Sequence, residues 1–131
     1  MTGQTLLPNG ENIYGSAPVS GFNCYAVNAS INSAVNINVT LNADTPVEIL
    51  GNPGTGNDRS NIILVSRDPN VCSRQGKTAA SFVVNTPIDN TYSLSFLSYA
   101  DGAQYIAVFN LGSSGASFNI QVDTGKLLMY K

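Results

Sequence analysis

Ile31-Asn32-Ser33-Ala34-Val35-Asn36-Ile37-Asn38-Val39-Thr40-Leu41-Asn42 decides the fold class. Ile31, Val35, Ile37, Val39 and Leu41 are apolar, and Asn32, Asn36, Asn38, Thr40 and Asn42 fill positions between them. A period of two puts the two sets on opposite faces of a β-strand. One face is dry and the other wet. That is the pattern of a two-layer antiparallel structure, not of a parallel sheet buried on both sides.

Working outward from this stretch, residues 22–27 read as the preceding strand, with Phe22, Cys24 and Ala26 on one face. Before them, residues 1–21 are rich in Gly, Pro, Asn and Ser. Leu6, Leu7, Ile13 and Tyr14 are isolated apolar points there, so an extended arm with one short edge strand is expected. After the central strand, Asp44-Thr45-Pro46 ends the run and residues 46–50 begin another. The Gly- and Pro-rich stretch 51–58 is a loop. Ile62-Ile63-Leu64-Val65 is an unbroken apolar run, the mark of a short strand covered on both faces. Residues 67–75 form a polar loop that carries Cys72.

Later signals are regular. Strands are expected over 81–85, 91–99, 105–111, 117–123 and 127–130. Turns are expected over 85–90, at Asp101-Gly102 (a hairpin signal), at Gly112-Ser113-Ser114-Gly115 and over 123–126. Short strands with turn signals at this spacing predict an all-β fold. The expectation is an antiparallel β-sandwich or jelly roll of eight to nine strands, with no helix. The chain divides into an arm, 1–21, and a single sandwich domain, 22–131.

At 131 residues the chain is of single-domain length. Only 11% of residues are charged, so polarity comes from Asn, Ser, Thr and Gly. A net charge of -2 argues against nucleic-acid binding, which needs a basic footprint. No apolar run approaches the roughly 18 residues of a membrane span. The first eight residues lack the basic and apolar regions of a signal peptide.

The chain has no histidine, which removes the commonest general base and the commonest transition-metal ligand. Its acids, Glu11, Asp44, Glu48, Asp58, Asp68, Asp89, Asp101 and Asp123, mostly fall in or beside turns. Aspartate stabilises turns by accepting backbone N–H groups. An enzyme is not expected, and neither is a cofactor. Calcium is the one metal with oxygen donors to hand, at Asn57, Asp58 and Asp101, although no EF-hand spacing supports it. Cys24 and Cys72 permit one disulfide or two buried thiols, and the sequence leaves both open. Asn28-Ala29-Ser30 and Asn38-Val39-Thr40 fit the N-glycosylation pattern. Arg59, Arg67, Arg74 and Lys77 cluster in sequence and are candidates for contact with an acidic partner, against the plainer reading of a solvated loop.

Three pieces resemble the pre-peptidase C-terminal type of domain, a secreted β-sandwich. They are the strand 35–41, the strand 62–65 before a Cys-bearing loop, and the closing pair Tyr105-Ile106-Ala107-Val108 and Phe118-Asn119-Ile120-Gln121-Val122. Where such domains often carry Asp-Leu-Tyr and Gly-Thr-Tyr, this chain has Asn61-Ile62-Ile63 and Asn90-Thr91-Tyr92. The resemblance implies an accessory binding role. By type, though without a shared motif, the chain is also similar to viral and phage capsid decoration (cement) proteins. Two expectations follow. The first is a structural protein that binds a repeating protein surface through its arm and edge strands, as a homo-oligomer or part of a virion or extracellular assembly. The second is a secreted adhesin-like or carbohydrate-binding accessory domain, with calcium in its loops.

Overall fold

The computed structural model describes residues 4–17, 21–42, 61–73, 76–84, 88, 90–110 and 116–126. Its strands are β1 (Gln4–Leu6), β2 (Asn12–Ala17), β3 (Phe22–Ala29), β4 (Ser33–Leu41), β5 (Asn61–Ser66), β6 (Phe82–Val84), β7 (Thr91–Leu97), β8 (Gly102–Asn110) and β9 (Ala116–Lys126). They form two sheets, ordered β1-β3-β8-β5-β6 and β2-β9-β4-β7. The pairings are antiparallel except β1 with β3, which is parallel. The all-β sandwich is therefore the observed fold.

β4 has the alternation expected of it, with every second residue from Ser33 to Leu41 buried. It lies between β9 and β7, so both of its backbone edges are paired. Val35, Ile37, Val39 and Leu41 enter one core with Phe118, Ile120, Val122 and Tyr92 of the same sheet. Tyr25, Val27, Ile63, Val65, Ile106 and Val108 come from the other sheet. Each large aliphatic group buried in this way contributes about 1.5–3 kcal/mol.

The five-stranded sheet also has a second, smaller core on its outer face. Cys24, Leu64 and Ala107 are covered there by Val71 and Cys72 from the segment after β5. This accounts for the unbroken apolar run in β5: Ile63 and Val65 face the main core, and Leu64 faces the second one. A disulfide joins Cys24 to Cys72, with Cα atoms 5.7 Å apart, and pins the segment to β3. The segment holds a 3-10 turn at Pro69–Val71 and a single helical turn at Gly76–Ala79, where no helix was expected. Asp68 opens the first by accepting the Asn70 amide at 2.9 Å.

The structure corrects three further expectations. First, the described part of 1–21 holds two strands, one in each sheet, where an extended arm with one short edge strand was expected. β1 adds to one sheet and β2 to the other, and Leu7 and Ala17 are buried between them. The turn that joins them is tied to β9. Asn9 donates to the Thr124 carbonyl and accepts from its amide, and Gln121 donates to the Gly10 carbonyl. Gly10, at φ +82°, supplies the left-handed residue that this turn needs.

Second, Asp101-Gly102 does not close a hairpin. β7 and β8 lie in different sheets, so this corner carries the chain across the sandwich. Asp101 accepts the Ile31 amide at 2.7 Å, and Gly102 takes φ +132°. Third, the turn expected over 123–126 is strand. β9 stays paired with β4 through Gly125↔Ala34 and Lys126↔Ser33. The strand expected over 46–50, the loop 51–58, the Gly112–Gly115 turn and the strand expected over 127–130 lie outside the described residues.

The two sheets meet closely at Gly15. A Cβ there would overlap the Tyr25 hydroxyl and lie 2.8 Å from the Phe118 ring. The Tyr25 and Phe118 rings pack edge to face, with centroids 6.2 Å apart. Burial pushes the Tyr25 phenol up to about 12.

Two outcomes follow from this packing. The disulfide closes a sequence separation of 48 residues, so replacing both cysteines by alanine should lower unfolding stability in denaturant by about 4 kcal/mol on the chain-entropy estimate. The second concerns alkali. Below about pH 10 the Tyr25 phenol is neutral in both states, and above it the unfolded chain loses this proton first. Stability should therefore fall as pH rises from about 10 towards 12, and the Tyr25→Phe variant should show a shallower fall in its denaturation midpoint over that window.

Candidate functional site

The outer face of the four-stranded sheet is built by the polar half of each alternation. β7 turns out Thr91, Ser93, Ser95 and Leu97, and β4 turns out Ala34, Asn36, Asn38 and Thr40. β9 supplies Ser117, Asn119, Gln121 and Asp123, and β2 supplies Asn12, Tyr14 and Ser16. The register sets these residues in rows across the strands. One row is Ser95, Asn36 and Asp123; the next is Ser93, Asn38, Gln121 and Asn12; the third is Thr91, Thr40, Asn119 and Tyr14. Neighbours within a row are about 4.8 Å apart, and rows are about 6.8 Å apart along the strands.

Hydrogen bonds orient the ladder. Ser93 Oγ donates to Asn38 Oδ1 at 2.7 Å, and Ser95 Oγ donates to Asn36 Oδ1 at 2.6 Å. Each asparagine then directs its Nδ2 outward as a donor. Gln121 gives its Nε2 to the Gly10 carbonyl, and Asn119 gives its Nδ2 to Asn42 Oδ1, so each presents its amide oxygen as an acceptor. Thr40 and Thr91 pair through their hydroxyls at 3.1 Å. Among the described outward residues, Asp123 is the only charged one. Tyr14 stands at the edge of the face with 67% of its surface exposed. The result is an ordered, nearly uncharged array of donors and acceptors with one aromatic ring beside it. Such a surface offers hydrogen bonds in both senses, and no nucleophile–base pair stands on it among the described residues.

The sequence-derived candidates fall elsewhere or apart. Asp101 accepts a backbone amide at the β7–β8 corner, and Asn57 and Asp58 lie outside the described residues. No three His, Cys, Asp or Glu side chains converge among the described residues. Arg67 is exposed and donates to the Asp101 carbonyl at 3.1 Å. Arg59 and Arg74 lie outside the described residues, and Lys77 sits in the short helix. Asn28 is exposed on β3, in the five-stranded sheet, whereas Asn38 is half-buried in the middle of the ladder. No described helix is long and apolar enough to cross a membrane. Sequence reasoning found the polar half of β4 but missed Tyr14, Asn12, Asn119 and Gln121 as its companions. Their signal was the same period of two in β2 and β9, which becomes one face only once register is known.

No family model matches the chain, and no curated protein matches its sequence. Solved structures do match its fold. The pre-peptidase C-terminal domain of collagenase from Bacillus anthracis is similar at a TM-score of 0.62 and 12% identity, over 92% of this chain and 94% of that one. The periplasmic inhibitor of g-type lysozyme from Aeromonas hydrophila gives a TM-score of 0.60 at 13% identity, over 93% and 96%. The Yersinia pseudotuberculosis-derived mitogen gives 0.50 at 12% identity, over 95% and 92%. At such identities the likeness is one of fold. It supports the resemblance to pre-peptidase C-terminal domains at that level and lends nothing to the capsid decoration type.

The ladder is a surface feature, so its side chains should be nearly dispensable for folding. A double-mutant cycle on Asn38→Ala and Ser93→Ala, read by denaturant unfolding, should give a coupling of only about 0.2–1 kcal/mol.

Proposed function

We propose that this chain is a non-catalytic recognition domain of an exported protein, and that it meets its ligand with the outer face of the four-stranded sheet. The observation that carries this reading is the ladder itself: three registered rows of uncharged hydrogen-bonding groups, flanked by the exposed ring of Tyr14. The Cys24–Cys72 disulfide supports an oxidising compartment, where such bonds persist. The absence of histidine from the sequence supports a binding role over a catalytic one. So does the use of Asp68 and Asp101 to accept backbone amides. The fold also occurs in the pre-peptidase C-terminal domain of a collagenase and in a periplasmic lysozyme inhibitor.

Assembly on a repeating protein surface through the first 21 residues has less support. That role needs an arm free to leave its own body, but Leu7 and Ala17 are buried in the main core and β1 and β2 complete the two sheets. Removing this region would strip an edge from each sheet and leave no intact monomer to compare.

The test places lysine in the ladder. The Asn36→Lys/Thr40→Lys variant should keep its thermal midpoint and lose binding to the envelope fraction of the source organism by at least about tenfold. Asn28→Lys, on the other sheet, should bind as the parent does. Equal binding by all three proteins, or none by the parent, would sink the proposal.

A further inference from the structure

We infer that the ligand of this face is a neutral polysaccharide, laid across the strands with one sugar ring stacked on Tyr14. The inference rests on the preceding reading of the face as the binding surface and adds the chemistry of what it binds. Its basis is the juxtaposition of outward amide donors, outward amide acceptors and an exposed aromatic ring in adjacent rows of the sheet.

Charge narrows the ligand class first. No Lys or Arg lies at the described outward positions of β2, β4, β7 and β9, and Asp123 is the one ionised group there. An acidic glycan, a nucleic acid or an anionic lipid surface would find no cation to pair with and one carboxylate to repel it. A protein partner fits poorly for a different reason. The centre of a protein interface is more apolar than its rim and is enriched in aromatic residues, Met and Arg. Here the centre is Asn36, Asn38, Thr40, Asn119 and Gln121, with Leu97 at one end and Tyr14 at the edge.

Hydrogen-bond polarity then selects a polyol. A sugar hydroxyl both donates and accepts, so two vicinal hydroxyls are matched by a donor and an acceptor side by side. The middle row offers that pair. Asn38 presents Nδ2 because its Oδ1 is held by Ser93, and Gln121, one strand away, presents Oε1 because its Nε2 is held by Gly10. The next row presents the Asn119 Oδ1 beside the Thr40–Thr91 hydroxyl pair. These internal bonds fix the amide orientations before any ligand arrives, so little side-chain freedom is lost on binding. Asn38 and Gln121 stand on neighbouring strands about 4.8 Å apart, close to the advance of one pyranose unit in an extended chain.

Tyr14 completes the site. It is exposed on an edge strand, its outward row continues through Asn119 and Thr40, and its ring contributes nothing to the core. A pyranose has an apolar C–H face that lies flat on such a ring while its hydroxyls reach sideways to the amides. Tyrosine suits this, with an apolar body and a polar tip.

The whole chain is titrated with cellohexaose, chitohexaose and mannohexaose, and with hexagalacturonate as the anionic control, by isothermal calorimetry and by amide NMR. At least one neutral hexasaccharide should bind saturably and shift the side-chain amide signals of Asn36, Asn38, Asn119 and Gln121, while hexagalacturonate should not bind. Tyr14→Ala should weaken that binding about tenfold, and Tyr14→Phe should restore it. If no neutral sugar binds, or if hexagalacturonate binds as tightly, the glycan inference is overturned. The face then still stands if lysine at Asn36 and Thr40 abolishes envelope binding. Sugar binding that shifts signals only on the five-stranded sheet would overturn both.

Discussion

Val35, Ile37, Val39 and Leu41 can be fully buried because β4 sits inside its sheet, with β9 on one edge and β7 on the other. That placement satisfies its backbone on both sides and leaves only the side chains to divide between core and water. Once the inward set is fixed, the outward set has no freedom left. A slip of one residue would move every apolar group to solvent. The polar ladder is thus the obligatory reverse side of the core, held in place by the same packing that holds the fold. The backbone of such a face is held by the core packing beneath it, so its outward side chains are free to vary in chemistry without loss of the fold.

The same constraint explains which parts of the structure the sequence reveals. β4, β7 and β9 announce themselves because both faces are well populated: apolar side chains inward, Asn, Ser and Thr outward. β2 does not, because its inward residues are Ile13, Gly15 and Ala17. Gly15 and Ala17 are small where the pattern leads one to expect bulk. The missing volume at Gly15 is filled by Tyr25 and Phe118 from elsewhere in the chain. Tyr14 consequently looks like an isolated aromatic in a Gly- and Asn-rich region, and its place beside Asn119 becomes visible only through pairing with β9. Half of the candidate face was therefore legible and half was not.

Connectivity was the least legible feature. A Gly-containing turn between two apolar runs favours a hairpin when only local geometry is considered. Here β7 and β8 join different sheets, as do β3 and β4, so such turns serve as corners across the sandwich. A strand chooses its neighbours by non-local burial, and the turn adapts: Asp101 turns its carboxylate to the Ile31 amide, a partner 70 residues away in the chain. Among the described strands, β5 and β6 are the consecutive pair that do lie side by side, and they are separated by the disulfide-bearing segment.

That segment gives the molecule its asymmetry. It covers the outer face of the five-stranded sheet with Val71 and Cys72, so this sheet is apolar on both sides where the segment lies. Cys24 can point outward from β3 and still be buried, because the chain it is bonded to provides the cover. The four-stranded sheet has no such described covering, and its outward residues are the ones that water or a ligand can satisfy. An apolar outward face there would aggregate, and a strongly charged one would repel itself along rows only about 4.8 Å apart. Uncharged amides and hydroxyls avoid both penalties. They can pair across strands in the free protein, as Ser93 does with Asn38, and still hold one donor or acceptor each for a ligand. On this face, low charge and the choice of Asn, Ser and Thr meet one requirement: a broad sheet surface that is wet, ordered and neutral together.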